Sequence, residues 1–217
     1  MGAMIMKLMK SVTRTRNMYT DLMLDLEYLA EAENAVITQI SAIPFDISNG
    51  FYAGMEDGNP TEVFNGMPNI QHQLNCGRVI DEATMLWWMN QAVSNGRMPV
   101  WADDDTGHIE GVLSEFISWG GALFDWNTVR VWGHVRCDQG KIRAAYRDLV
   151  GMRPPWGRRN VQNVQTLRHI ALGLATEQQR NQLIAYHDEK THDALDDCVA
   201  TIKEVSLAWS IVHNSTH

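Results

Sequence analysis

Two stretches near the start of the chain carry the pattern of β-strands. An apolar run at residues 22–24 leads into Asp25, Leu26 and Glu27, and a second run with alternating apolar positions covers residues 35–45. Short apolar runs bounded by polar turns are typical of strands. The sequence therefore predicts two strands joined by a tight connection, which would be the opening hairpin of a sheet.

Helical spacing follows in the rest of the chain. Apolar residues recur on one stripe at 81–94 and at about 107–119, and a final helix is predicted to begin at Asp193, a good N-cap. The β-rich run at 129–133 is followed by helical spacing through residue 149, which predicts a strand and then a helix.

The remaining segments are predicted as connections, with one exception. Residues 46–78 and 151–160 are rich in turn-forming residues and predict loops, the first with one short strand. Residues 161–174 predict a helix or a strand-to-helix unit. Strands first, and then strand and helix in alternation, indicate a mixed α/β sheet with helices packed on it.

Length and cysteine usage indicate one intracellular domain. The 217 residues, 45% of them hydrophobic, are enough for one sizeable core. Three widely spaced cysteines without a CxxC pair predict neither a disulfide framework nor a zinc knuckle, so we expect a cytoplasmic protein. No apolar stretch approaches the roughly 20 residues that span a bilayer. We expect residues 1–18 to be a flexible N-terminal extension without the features of a signal peptide, and 19–217 to form the domain.

The net charge of −8 argues against nucleic-acid binding until its distribution is considered. Residues 19–129 contain only Arg78 and Arg97 as basic residues, whereas residues 130–168 contain nine basic residues against Asp138 and Asp148. Such a distribution suits a site that gathers carboxylates for metal ions beside a separate surface for a phosphate backbone. The alternative is a solvated basic helix and loop.

Five residues could form a metal-dependent catalytic site. Asp25 and Glu27 are two apart in a predicted strand, so both project from one face, where hard oxygen ligands suit Mg²⁺ or Mn²⁺. Asp138 follows the strand at 129–133, at the end of a strand where open α/β sheets bind ligands. His192 lies just outside the last predicted helix and Asp197 about one turn inside it. Taken singly, these could equally be exposed strand acids, a helix-terminal acid and a surface histidine.

Three segments resemble the sequence motifs of the DEDDh 3′-to-5′ exonuclease superfamily. They are DLEYL at 25–29, WGHVRCD at 132–138 and HDALDD at 192–197, in the order and at the spacings of that superfamily. The likeness is to phage-type enzymes related to exodeoxyribonuclease VIII and to the ribonuclease T-like group. It extends to the segments AVITQISAIPFD, VIDEATMLWWMNQ, VWGHVRCDQGKIRAAY and PPWGRRNVQNVQTL, and it covers about residues 20–210.

The resemblance implies a ribonuclease H-like α/β fold, with a mixed central β-sheet flanked by α-helices. It also implies a two-metal-ion hydrolysis of single-stranded nucleic acid from the 3′ end to nucleoside monophosphates. Two Mg²⁺ or Mn²⁺ ions about 3.5–4 Å apart would be bound by four acids, and His192 would be the general base. The four acids are Asp25, Glu27, Asp138 and Asp197. DNA is favoured over RNA because the likeness is to phage-type enzymes, in which case the protein would act in the host cytoplasm.

Substrate contacts are expected from Tyr28, Leu29, Trp87, Trp88 and Arg136. A narrow metal site favours unpaired 3′ ends of DNA or RNA, whose bases stack on aromatic side chains. Adjacent residues on a helix face about 100° apart, so one of the two tryptophans is expected in the core. Arg136 is expected to contact phosphates together with Lys141 and Arg143, and Met85 and Met89 are expected to fill the core. We expect no membrane contact, and a homo-oligomer is possible.

Departures from the superfamily motifs keep a second hypothesis open. Tyr28 stands where Thr is usual, Ala30 where Gly is usual, Cys137 where an aromatic residue precedes the motif-two acid, and Asn163 where Asp is common. These departures allow a catalytically weak nucleic-acid-binding accessory protein that keeps the exonuclease fold. The presence of all five expected catalytic residues favours the enzyme.

Overall fold

The computed structural model describes residues 19–52, 62–95 and 107–215, so the expected extension at 1–18 lies outside the described residues. The strands are β1 (Asp21–Tyr28), β2 (Ile37–Asp46), β3 (Phe51–Tyr52), β4 (Phe64–Gly66), β5 (Arg130–Gly133) and β6 (Val161–Asn163). The helices are α1 (Ile70–Asn75), α2 (Glu82–Asn95), α3 (Ile109–Leu123), α4 (Asp138–Ala145), α5 (Val164–Leu174), α6 (Glu177–Asp188) and α7 (Ala194–Asn214), and α4 continues as a π-helical turn, Tyr146–Val150.

The strands form one mixed sheet in the order β3-β2-β1-β5-β6, with β4 also paired to β2. Strand β1 is antiparallel to β2 and parallel to β5, and β5 is parallel to β6. The expected hairpin, mixed sheet and flanking helices are confirmed. Because β1 and β5 run in parallel, their carboxyl ends lie at the same edge of the sheet. Asp25 and Glu27 lie near this end of β1, and Asp138 follows β5.

The two faces of β1 have different roles. Leu22, Leu24 and Leu26 belong to the larger core cluster, which includes residues of α3 and α4. Met23, on the opposite face, packs in a second cluster with Ile202 of α7. Since side chains alternate along a strand, Asp25 and Glu27 continue the face that begins with Met23 and is covered by α7. On this face, Met23 packs against α7, and the two acids Asp25 and Glu27 lie toward the carboxyl end of the strand.

A buried ion pair joins β1 to β5. The Asp21 carboxylate has no exposed surface and accepts hydrogen bonds from Arg130 Nε at 2.7 Å, Arg130 Nη2 at 2.6 Å and Trp132 Nε1 at 2.7 Å. These three donors compensate for the desolvation of the carboxylate. Arg130, a member of the basic segment, therefore has a structural role.

Two expectations about local structure are wrong, and one helix was not predicted. Residues 46–78 contain two short strands and helix α1 among their described positions, where one short strand was expected. Met89, expected in the core, is 60% exposed, because α2 buries little more than its Trp88 side. Helix α6 was not predicted, because its sequence has no apolar stripe and Leu183 is its one buried residue.

Candidate active site

A cleft of about 470 Å³ opens at the carboxyl ends of β1 and β5, and all five expected catalytic residues line it. Asp25 and Glu27 come from β1, Asp138 is the first residue of α4, and His192 and Asp197 flank the start of α7. We call this cavity the acidic cleft. The structure thus brings together residues that are up to 172 positions apart in the chain, Asp25 and Asp197.

The lack of a side chain at Gly133 allows Asp138 to lie close to β1. A Cβ at Gly133 would lie 2.8 Å from the Leu24 carbonyl oxygen and 3.5 Å from Asp138 Oδ2, so a larger residue does not fit where β5 ends. The backbone N–H of His134 donates to Asp138 Oδ2 at 2.9 Å. This bond orients the carboxylate toward the cleft at the first turn of α4.

His192 and Asp197 are positioned by the N-cap of α7. Asp193 caps the helix by accepting hydrogen bonds from Leu195 N at 2.9 Å and Asp196 N at 3.3 Å, as its sequence position predicts. The N–H of Thr191 donates to Asp197 Oδ1 at 2.7 Å. His192, between them, has φ +60°, a conformation that costs free energy in a residue other than glycine. The chain reverses here so that a ligand atom from each of His192, Glu27 and Asp197 lies within 4.8 Å of the others.

A glutamine from the neighbouring strand anchors this turn. Gln39 is fully buried and lies opposite Glu27 in the β1–β2 register. Its Oε1 accepts a hydrogen bond from Ala194 N at 3.0 Å, and its Nε2 donates to Asp193 Oδ1 at 3.4 Å and to Asn65 Oδ1 at 3.1 Å. Gln39 was not among the expected site residues; the signal in the sequence was a polar residue within the apolar run that forms β2.

The carboxylates repel one another in a buried environment. Burial, followed by the charges of Asp138 and Glu27, raises the pKa of Asp25 well above its usual value. Burial and the charge of Asp197 raise the pKa of Glu27 to about 9, and burial raises the pKa of Asp138 to about 7. Burial also raises the pKa of Asp197. The cluster therefore favours protons or cations.

Lys190 supplies a cation to this cluster and was missed by the sequence analysis. It lines the acidic cleft, and its charge lowers the pKa of Asp25, Glu27, Asp138 and Asp197, which partly offsets the effect of burial. Its Nζ lies 3.2 Å from His134 Nε2, and burial together with the Lys190 charge lowers the pKa of His134 to about 4. The signal in the sequence that could have identified Lys190 as a site residue was its position two residues before His192.

The donor set fits divalent metal ions. Four carboxylates with raised pKa values, on three separate elements, surround a cleft that contains one lysine among its lining residues. Hard oxygen donors of this kind suit Mg²⁺ and Mn²⁺. Asp25, Glu27, Asp138 and Asp197 are the residues that would hold such ions.

The two tryptophans of α2 have different environments, as expected. Trp88 is 4% exposed, and its Nε1 donates to the Tyr28 carbonyl oxygen at 3.1 Å. Trp87 is 40% exposed and meets the His192 ring edge-to-face, with centroids 4.7 Å apart. Trp87 is therefore the aromatic surface beside the expected general base, and Trp88 holds α2 against β1.

Only one of the other expected substrate contacts lines the acidic cleft. Tyr28 lines the acidic cleft, but the Leu29 side chain is fully buried in a core cluster with Val36 and Trp88. Arg136 is exposed and does not line the cleft. Lys141, expected at a phosphate, is only 2% exposed and places its Nζ 3.8 Å from the Tyr28 ring centroid, so that expectation is wrong. The buried ammonium group of Lys141 therefore makes a cation–π contact with the Tyr28 ring and is not free to contact a phosphate.

The mixed sheet with flanking helices is the ribonuclease H-like fold, which is found in DEDD exonucleases. Residues 20–209 match the model of the Rv2179c-like 3′-5′ exoribonuclease domain, and the chain belongs to this family. That family is described by a 3′-5′ exoribonuclease activity, and the carboxylates of the acidic cleft suit divalent metal. The resemblance to 3′-to-5′ exonucleases is confirmed.

Solved structures agree on the fold. Cell-death related nuclease 4 (CRN-4) is similar with a TM-score of 0.53 and 16% identity, over 87% of this chain and 63% of that chain. The chain therefore spans less than two thirds of that relative. The RNase domain of the yeast Pop2 protein is similar with a TM-score of 0.52 and 8% identity, over 100% of this chain and 84% of that chain. No match was found among curated proteins. Among the described residues, no helix is long and apolar enough to cross a membrane.

Proposed function

We propose that this protein is a 3′-5′ exonuclease that trims single-stranded RNA from its 3′ end and releases nucleoside 5′-monophosphates. The observation that carries the proposal is the convergence of Asp25, Glu27, Asp138, Asp197 and His192 on one cleft. RNA replaces the DNA expected from the phage-type resemblance, because the family is described as exoribonucleases. The retained set of five residues favours this proposal over an accessory binding protein.

The four acids are proposed to hold Mg²⁺ or Mn²⁺, as a two-ion site. When bound, the ions neutralise the charge that develops on the phosphate and lower the pKa of water. The carboxylates orient the ions, and their mutual repulsion in the metal-free cleft makes metal binding favourable. Burial gives the cluster its affinity for cations, since an uncompensated buried carboxylate is costly.

His192 is proposed as the general base. Its left-handed backbone directs the imidazole to the side of the cleft where Glu27 and Asp197 lie. The imidazole takes a proton from the attacking water, the new P–O bond forms, and the bond from phosphorus to the 3′ oxygen of the preceding nucleotide breaks. That oxygen takes up a proton, so the products are a nucleoside 5′-monophosphate and a strand with a new 3′ hydroxyl. Histidine suits the role because its ordinary pKa lies near neutral pH.

Single strands are proposed because the acidic cleft offers an aromatic wall. Trp87, 40% exposed, lies 4.7 Å from His192 between ring centroids, so a terminal base stacked on Trp87 would lie beside the general base. A base can stack in this way only when it is unpaired. Tyr28, at the opposite end of the DLEY motif from Asp25, lines the same cleft.

The test is a gel time course with 5′-labelled single-stranded RNA and the DNA of the same sequence. Each strand is incubated with Mg²⁺, with Mn²⁺ or with a chelator. The wild-type protein is compared with Asp25→Asn and with the control Asp188→Asn, which removes an exposed carboxylate of α6 outside the acidic cleft. We expect a metal-dependent ladder on RNA that shortens from the 3′ end, is lost in Asp25→Asn and persists in the control.

Three other outcomes would contradict parts of the proposal. Faster degradation of DNA would reverse the choice of sugar. In a parallel reaction with a blunt RNA duplex, degradation as fast as that of the single strand would remove the preference for single strands. Binding of RNA without degradation of either strand would favour the accessory binding protein.

A further inference from the structure

A second cavity, of about 440 Å³, lies where α4 and its π-helical turn meet the loop that leads to β6. We call it the arginine cavity, because four of its lining residues are Arg143, Arg147, Arg153 and Arg158. No carboxylate is among the residues that line it. It is therefore a concentrated positive site on a protein whose net charge is −8.

Local backbone geometry builds this cavity from two sides. Arg143 and Arg147 are four residues apart and so share one face of the helix and its continuation. The helix then ends at Gly151, which has φ +71°, and the chain turns so that Arg153 and Arg158 line the same space. The left-handed position is suited to glycine, which has no Cβ to clash there.

The loop is fixed next to the acidic cleft by Trp156. This side chain is 6% exposed, lines the arginine cavity and donates from Nε1 to Gln139 Oε1 at 3.2 Å. Gln139 is the neighbour of Asp138 at the start of α4. Given a rise of 1.5 Å per residue, Arg143 lies about 7.5 Å along α4 from Asp138, and Arg147 lies about one turn further on. The two cavities are thus connected by one helix.

Within the described part of the chain, three of the four arginines of the arginine cavity lack the carboxylate partner that Arg130 and Arg168 have. Arg130 pairs with Asp21, and Arg168 pairs with Glu204 at 2.7 Å. Within the cavity, Arg147 pairs with Asp148 at 2.6 Å. Among the residues that the structure describes, no carboxylate forms an ion pair with the other three arginines of the cavity, Arg143, Arg153 and Arg158.

We propose that the arginine cavity binds backbone phosphates of the nucleic-acid strand upstream of the 3′ nucleotide held in the acidic cleft. Guanidinium groups bind phosphate oxygens in bidentate geometry. Phosphates are favoured over bases because Trp156, the aromatic residue of the cavity, is buried and offers no stacking surface. The proposal rests on the proposed function, since it assigns a second contact to the same substrate, and it predicts recognition that is independent of base sequence.

The test measures binding of fluorescein-labelled single-stranded RNA by anisotropy over a series of salt concentrations. Asp25→Asn serves as the background, so that the strand is not degraded. Arg143→Gln/Arg153→Gln/Arg158→Gln is compared with the control Arg180→Gln, which removes an exposed charge on α6. Each lost phosphate contact reduces the salt slope for a single strand by about 0.7, so we expect a reduction of about 2 for the triple variant and a smaller change for the control.

Two further substrates separate this proposal from the proposed function. A dinucleotide has only the scissile phosphodiester, so its kcat/KM, measured with Asp25 restored, should be unchanged in the triple variant, whereas the Kd of a twelve-nucleotide strand should weaken about tenfold or more. An abasic strand of equal length should lose as much affinity, because it keeps the phosphates.

The experiments distinguish failure of the phosphate site from failure of the proposed function. An unchanged salt slope and Kd in a folded triple variant would overturn the arginine cavity as a phosphate site while leaving the exonuclease intact. Loss of affinity only for strands with bases would also overturn it. Absence of cleavage by the wild-type protein would contradict the proposed function, but a reduced salt slope would still support phosphate binding in the cavity.

Discussion

The side-chain oxygen of Gln39 accepts a hydrogen bond from the backbone N–H of Ala194 at 3.0 Å, across 155 residues of sequence. Gln39 also lies opposite Glu27 in the sheet, so one residue fixes the spacing between the acidic end of β1 and the start of α7. The acidic cleft depends on that spacing, because His192 and Asp197 flank the same turn.

Loss of the hydrogen bond between Gln39 and Ala194 should reduce both the stability and the activity of the protein. In Gln39→Ala the buried N–H of Ala194 loses its acceptor, which costs about 1–3 kcal/mol of unfolding free energy. A displaced turn should also lower kcat. Urea unfolding and steady-state kinetics would measure the two effects. Asn65→Ala is the control, because it removes a partner of Gln39 Nε2 and leaves the bond to Ala194; equal losses of kcat in both variants would contradict this role of Gln39.

Replacement of the proposed general base should slow the chemical step and spare metal binding. We expect His192→Ala to reduce kcat by about 10²–10⁴, the usual contribution of a general base. Calorimetric Mn²⁺ titration should give an affinity close to that of the wild type, since the four carboxylates remain. His169→Ala, an exposed histidine of α5, is the matched control. An unchanged kcat in His192→Ala would remove His192 from the mechanism.

Metal-free protein should become less stable as the pH rises. Burial and mutual repulsion raise the pKa of Asp138 to about 7 and of Glu27 to about 9, so the native state holds these protons more tightly than the unfolded chain. Their contribution to stability is complete below the unfolded pKa values, and it is lost as the pH rises first through about 7 and then through about 9.

Thermal unfolding in chelator from acidic to alkaline pH would measure this dependence. Glu27→Gln should flatten its alkaline part. Added Mg²⁺ should raise Tm more at alkaline pH, because metal and protons compete for the same oxygens. A Tm of the chelated protein that increases with pH would show that these carboxylates are not buried as a cluster.

The adjacent tryptophans should give opposite phenotypes. Trp87→Ala should weaken RNA binding, since stacking of one base contributes about 1–3 kcal/mol, and should leave Tm nearly unchanged. Trp88→Ala removes a buried ring and should lower the unfolding free energy by about 3–5 kcal/mol. Binding by anisotropy and unfolding by urea would separate the two. A large loss of stability in Trp87→Ala would place that ring in the core.

The buried ion pair of Asp21 should matter far more than an exposed one. Removing one partner of a buried pair typically costs about 3–5 kcal/mol, and we expect the lower value for Arg130→Met because Arg130 is itself partly exposed. Lys203→Met breaks an exposed pair with Glu189 and should change the unfolding free energy by less than about 1 kcal/mol. Similar values for the two variants would contradict the structural role of Asp21.

The sequence by itself determined the order of β1, β2, α2, α3, β5, α4 and α7 and five of the residues that gather at the acidic cleft. Alternation in β1 places Asp25 and Glu27 on one face, and the N-cap pattern at Asp193 marks the start of α7, because both depend on interactions between residues close in the chain. The motif order then indicated that Asp138 and Asp197 join them.

Only the tertiary structure decided which side chains of similar sequence context are used inside the protein. Lys141 lies within the basic segment, yet it packs on Tyr28, and Met89 lies on the apolar stripe of α2, yet it is exposed. Lys190 and Gln39 likewise acquire their roles from partners far away in sequence. Burial and electrostatic environment arise from contacts between separate elements, and a pattern along one element does not contain them.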